Sequence, residues 1–344
     1  MENLVKSNFK MIILIILLLF PSLGYSMKVT FFIGTSTLIR DGKSINIKVG
    51  DIVSKGDIIK TSKDGEVELL YDNGSKITIK SNSEVKVGDK NIKNSEDVAI
   101  ISGGISAKFI KSSKDESKII TPTTVCGVRG TDFAVAVSKG GDSKVELTDG
   151  KLNVRNSYGS VNLDEGSSAE IDLAGQPVKG TNDNNIDAWE NTRNSSLDKN
   201  INDRVKKYEA HVDNFSGRSE SNSKELKNLR DAAINASSKK DFAVSGENIV
   251  RMESEIEDSM LMNDASRSSI ENLMNDYADK NADIKNRFKE LADKCNLVHE
   301  QQLKNYQAIQ NVKEEYKQAY NKIMNKFKGD KTEIFKNLDD FKKR

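Results

Sequence analysis

The sequence has little of what builds most active centres. Its 344 residues include three prolines, two cysteines, two histidines and one tryptophan. Cys126 and Cys295 fall in different halves of the chain; two such residues make no disulfide scaffold, and both are expected free. His211 and His299 both fall in the second half, so no His-based acid or base can be built in the first. No His/Cys cluster has the spacing of a metal site. Gly-x-Ser-x-Gly, His-Glu-x-x-His and Gly-x-x-x-x-Gly-Lys patterns are all missing. The formal net charge of +1 sets up no global field for nucleic acid or an anionic membrane. Charged residues make up 31 % and aromatics 6 %, the composition of a soluble protein with thin cores. No catalytic, cofactor or metal residue is therefore expected.

Long hydrophobic runs are equally scarce. Met11 to Phe20 is unbroken apolar sequence of about ten residues, too short to span a bilayer comfortably. Lys6 and Lys10 precede it, Pro21 breaks it, and Gly24 and Ser26 supply small residues before Met27. This reads as a secretory signal peptide, residues 1–26, cut before Met27. An uncleaved membrane anchor is the alternative. No cysteine follows the run to carry a lipid, and no transmembrane span is expected in the mature chain.

From Lys28 to about Lys179 apolar residues alternate with polar ones, the period of half-buried strands. At Asp72-Asn73-Gly74 a three-residue loop pairs Leu69 with Ile77 and Val67 with Ile79 and leaves one face apolar; a two-residue loop mixes the faces. At Asp149-Gly150 a two-residue hairpin is expected, pairing Leu147 with Leu152 and Val145 with Val154. Ser102-Gly103-Gly104 and Ser112 to Ser117 read as exposed loops. Strands about eight to twelve residues apart with turns between them suggest a sandwich, a roll or a short solenoid.

Gln176 to Asn185 is polar, and from Ile186 the period becomes about 3.6. Ile186, Trp189, Leu197, Ile201, Val205, Tyr208, Val212 and Phe215 form one stripe, with Gly217 a plausible stop. Phe242, Ile249, Met252 and Ile256 form another, with Ile270, Leu273 and Tyr277 as its continuation. From Phe288 to Ile323 the spacing is that of a heptad seam, with Gln302 and Asn305 at two seam positions, where polar residues usually fix register. Ile334, Phe335, Leu338 and Phe341 suggest a short last helix. The expected division is a β domain over 27–180, a linker over 181–185, and an elongated α-helical bundle or coiled coil over 186–344.

The stretch Thr121 to Val135, TPTTVCGVRGTDFAV, concentrates the unusual residues of the β half. Gly127 and Gly130 bracket Arg129, and glycine in a strand pattern marks a bend or close backbone approach. Arg129 and Asp132 are its only charges. The structural reading is a kinked central strand with an Arg–Asp pair closing a bend; the functional one is an anion or peptide recognition point. Cys126 sits among apolar neighbours that make a thiol inert.

This run resembles the signature of the FecR family, periplasmic domains named for an iron-dicitrate signalling protein. The matching residues are Thr121 and Pro122, then Gly127, Val128, Arg129, Gly130, Thr131, Asp132 and Phe133. The likeness extends over about residues 28–180; the helical half carries none. It implies a solenoid-like stack of β-turns and an exported binding, signalling or envelope-scaffold role. Family members that control sigma factors carry a cytoplasmic segment ahead of a transmembrane helix. Only about ten residues precede the apolar run here, so direct sigma-factor control is not expected. Implied partners are an envelope protein or a peptidoglycan-associated component, with no nucleic acid, and the helical half is expected to act as spacer or oligomerisation arm. The competing class is a cell-envelope hydrolase with no assignable site.

Overall fold

The computed structural model describes residues 27–88, 97–111 and 117–324. The expected signal peptide, most of the Ser112–Ser117 loop and the short last helix lie outside these residues. Among these residues seventeen strands come first and helices follow: β1 (Met27–Ile33), β2 (Ser36–Arg40), β3 (Lys43–Asn46), β4 (Ile52–Val53), β5 (Ile58–Thr61), β6 (Glu66–Tyr71), β7 (Lys76–Ile79), β8 (Glu84–Val87), β9 (Val98–Lys108), β10 (Ser117–Ile120), β11 (Val125–Val128), β12 (Asp132–Val137), β13 (Ser143–Asp149), β14 (Lys151–Asn156), β15 (Gly159–Asp164), β16 (Ser167–Ile171) and β17 (Val178–Thr181). The helices are α1 (Ile186–Ser196), α2 (Ile201–Ile234), α3 (Lys239–Asp276) and α4 (Ala282–Met324).

The strands lie in two layers. One layer runs β4-β1-β6-β7-β9-β12-β13-β16-β17, the other β3-β2-β5-β8-β9-β10-β11-β14-β15. Among the described residues only β9 (Val98–Lys108) belongs to both: Val98 to Ser102 pair in the second layer and Gly103 to Lys108 in the first. The network does not close on itself among the described residues. Alternate side chains from both layers fill one apolar core, including Val29, Ile59, Leu69, Ile77, Val85, Ile105 and Val154.

Most connections cross between the layers, and this overturns two expectations. Ser102-Gly103-Gly104 is no exposed loop; it is the point within β9 where the strand changes layers, and Gly103 and Gly104 are buried. A side chain at Gly103 would meet the Ser83 backbone at 2.5 Å. The polar-looking triplet is there because two chain segments touch. Nor do Leu147 and Val145 pair with Leu152 and Val154. β13 (Ser143–Asp149) pairs with β12 and β16, whereas β14 (Lys151–Asn156) pairs with β11 and β15 in the other layer. Asp149-Gly150 is a corner, and a corner and a hairpin share the same turn residues. The hairpin at residues 72–74 has the expected register, Leu69 opposite Ile77 and Val67 opposite Ile79.

Helix α2 continues through Gly217 without interruption. One glycine costs about 1 kcal/mol against alanine, too little to stop a helix packed along its whole length. Helix α3 opens with a capping box, Ser238 Oγ accepting from the Asp241 amide and the Asp241 carboxylate from the Ser238 amide. It runs past Gly246 to take in Ile270 and Leu273. The α4 seam is buried from Phe288 to Tyr316, Gln302 and Asn305 included, and Ala319 and Ile323 at its end are partly buried.

Helices α2, α3 and α4 pack on the outer face of the second layer, and α1 lies against β12 and β13 of the first. Ile119, Cys126 and Ile100 point into the β core, while their neighbours Ile120, Val125 and Ile101 point outward against Phe215, Met260, Met262, Ala265 and Val298. Strands covered on both faces read as continuous apolar runs rather than alternating ones. This is why residues 98–101 and 125–128 read as apolar runs without alternation.

Candidate functional site

The signature stretch is a turn, a strand, a corner and a second strand. Thr121 to Thr124 close the turn between β10 (Ser117–Ile120) and β11 (Val125–Val128), the Thr121 amide donating to the Thr124 carbonyl at 2.9 Å. Gly127 and Val128 lie in β11, opposite Asn153 and Leu152 of β14. The chain turns at residues 129–131 and enters β12 (Asp132–Val137) in the other layer, between β9 and β13. The expected kinked strand is thus two strands in two layers.

Gly130 makes the corner with φ +74°, a left-handed conformation costly for other residues. An added Cβ there would lie 2.8 Å from Lys111 Cα. Phe133 is 1 % exposed and stacks on Phe109 at 6.2 Å. Thr131 is buried, and its carbonyl accepts the Phe109 amide at 2.9 Å. Asp132 faces Lys108 Nζ at 3.8 Å, a cross-strand contact. Arg129 is exposed at the corner. Burial pushes the Cys126 thiol up to about 12, so it stays protonated and inert at neutral pH.

The turn is held from the helical side. Proline has no amide proton, so the Pro122 carbonyl is the only backbone group there to satisfy. It receives two donors, His211 Nε2 of α2 at 2.8 Å and Ser266 Oγ of α3 at 3.1 Å. A carbonyl only accepts, which places the imidazole proton on Nε2. His211 Nδ1 has no partner among the described residues, and burial holds the ring neutral with its pKa lowered to about 4. Thr121, Thr123 and Ser143 form a closed ring of buried hydroxyls, with contacts of 3.3, 2.6 and 2.7 Å. Next to Ser143, the buried Asp142 carboxylate takes Arg204 of α2 in bidentate fashion at 2.7 and 2.8 Å, and the Leu173 amide at 2.9 Å.

A second set of charges joins α3 to the second layer. Asp258 accepts from Lys118 of β10 at 2.7 Å and from Arg155 of β14 at 2.9 Å. Lys86 of β8 reaches Asp264, and Asn272 Nδ2 donates to Glu84 at 2.9 Å. Glu257, beside Lys118, is pushed up to about 7 by burial against the pull of the lysine. Sequence reasoning singled out none of these residues, because each partner lies more than a hundred positions away. The charged alternates of short strands were the one available signal. Asp183 and Asn185 of the expected linker are likewise fixed, both bonded to buried Lys144 of β13.

A layered β unit that turns a Gly-Val-Arg-Gly corner under a Thr-Pro turn defines the class of this half. Residues 57–153 match the family described as FecR protein, the family that the signature residues resemble. No curated protein matches. Two crystal structures of a proposed anti-sigma factor from Parabacteroides distasonis ATCC 8503 are similar at 14 % identity, with TM-scores of 0.34 and 0.33. Each similarity covers 38 % of this chain and 63 % of that one. No helix among the described residues is long and apolar enough to cross a membrane.

Proposed function

We propose that the chain is a non-enzymatic, exported FecR-domain module that binds a protein partner in the cell envelope. Residues 27–180 form the binding domain, 181–185 the link, and 186–344 a brace and spacer through which the module could also pair with a second copy. The carrying observation is how the signature's polar groups are used. The Pro122 carbonyl and the Thr121 and Thr123 hydroxyls are consumed inside the protein, while Arg129 stands exposed at the corner. The first set supports a structural role for the turn, the second a recognition role for the corner. Exposed corners carried on rigid strands suit contact with another protein.

The test is crosslinking and pull-down from the envelope fraction with the full chain and with Arg129→Ala. Specific capture by the first and not the second is expected, at unchanged melting temperature. Equal capture by both removes the corner from the interface. N-terminal sequencing of the envelope protein should begin at Met27, and Met1 retained would overturn export by a cleaved signal.

A further inference from the structure

A cleft of about 650 Å³ opens where the β14–β15 turn faces α2 and α3. Its size is that of a small-ligand site. We propose that it binds an acidic saccharide, a sugar ring bearing a carboxylate. The proposal rests on reading the chain as a binding module, but on a surface separate from the Arg129 corner.

Three features carry it. The first is a pair of loosely held guanidiniums. Arg218 of α2 and Arg251 of α3 line the cleft and share Glu255 at 4.0 and 3.8 Å. Their remaining contacts, Arg218 to the Ser157 carbonyl and Arg251 to Glu225, are both 3.5 Å. By contrast Arg155, at the cleft's inner end, is committed to Asp258 at 2.9 Å. Arginines held at such long range keep their planar donors available for bidentate capture of a ligand carboxylate.

The second feature is a preformed aromatic edge. Asn156 fixes the turn: its Oδ1 accepts the Tyr158 and Gly159 amides, and its Nδ2 donates to the Thr123 and Gly175 carbonyls. Tyr158 is thereby presented at the cleft half-buried, an apolar ring with a polar tip. The third feature is spare hydrogen-bonding capacity. The side chains of Tyr158, Ser157, Ser160 and Ser254 all line the cleft and make no hydrogen bond to described residues, whereas the hydroxyls of Thr121, Thr123 and Ser143 beneath the turn are fully used. Ring face, free hydroxyls and paired guanidiniums together match a polyhydroxylated acid better than a bare anion, which has no use for the ring.

Calorimetric titration of the full chain with trigalacturonate, maltotriose and triglutamate tests this. Saturable binding of trigalacturonate, with weaker or no binding of the other two, is expected. Arg251→Gln and Arg218→Gln should each weaken it about tenfold or more, a loss of about 1.4 kcal/mol. Arg251→Lys should recover only part, since a lysine cannot bind in bidentate fashion. Tyr158→Ala should weaken the saccharide. Tighter binding of triglutamate would reassign the cleft to acidic peptides and overturn the proposal. So would no saturable trigalacturonate binding, or binding indifferent to both arginine variants at unchanged melting temperature. Partner capture through Arg129 is read separately, so either result can fail alone.

Discussion

Between the two β layers the filling is apolar, with Val29, Ile59, Leu69, Ile105 and Val145 all 1 % exposed or less and Tyr71, Phe109 and Phe133 among them. Between the helices lie Ser219, Ser259, Asn263, Gln302 and Asn305, all buried as well. There Gln302 donates to Ser259 at 2.9 Å, Asn263 to the Cys295 carbonyl at 3.0 Å, and Asn305 to the Ser219 carbonyl at 2.8 Å. The difference follows from where the backbone hydrogen bonds go. Strands bond to one another, so the ladder itself fixes register and the core can be purely apolar. Helices satisfy their backbones internally, and apolar seams alone allow them to slide. Buried polar pairs restore a single alignment, at some cost in stability.

The comparison can be broken most directly at Phe133. Phe133→Ala should cost about 3–5 kcal/mol, seen as a lower denaturant midpoint, because the rigid ladder cannot collapse into the space. Loss well below that would mean that the β core is plastic. Next is the seam between the halves. Asp258→Ala leaves Lys118 and Arg155 facing each other without their shared carboxylate, and should cost about 3 kcal/mol. A single transition in urea that shifts as a whole would show the halves unfolding together; two transitions would show them separate.

His211 sharpens the comparison through pH. Its pKa is about 4 folded, against about 6.5 unfolded. Between these values the unfolded chain binds more protons. Stability from the neutral ring is therefore complete above about pH 6.5 and is lost as pH falls towards 4, by up to about 3 kcal/mol. Glu257, raised to about 7, contributes with the opposite slope over much of this range. The measurement is accordingly the difference between wild type and His211→Gln across pH 4 to 7. A constant difference would mean that His211 does not titrate in this way. Gly130→Ala should destabilise by more than about 1 kcal/mol, since the left-handed backbone and Lys111 both oppose a side chain. Arg129→Ala, at an exposed position, should change stability by less than about 1 kcal/mol. A larger loss would make the arginine a structural clamp.

What could be read from the sequence was whatever depends on neighbours in the chain. The 72–74 loop, the buried thiol of Cys126, the helical stripes and the polar seam positions Gln302 and Asn305 each follow from local pattern. The layer in which a strand lies does not. Residues 145–154 look like a hairpin because a corner and a hairpin need the same glycine, and only β11 and β16, far away in sequence, decide between them. Ser102-Gly103-Gly104 misled for a related reason: close packing of two backbones and solvent exposure both favour small residues. The donors to Pro122, at positions 211 and 266, belong to the stripe of one helix and the polar interior of another. Nothing local marks them as partners of a β-turn.

Because β9 is hydrogen-bonded in both layers, neither layer has an opening motion of its own. Separating the layers requires breaking β9 from β8 and β10 at one end, or from β7 and β12 at the other. Its amides are thus released only when the whole β unit unfolds, and should be among the slowest to exchange with deuterium. A pull applied to the first layer reaches the second through covalent bonds rather than through side-chain friction. An event at the Arg129 corner, which leads into β12 beside β9, would be felt across the full thickness of the domain.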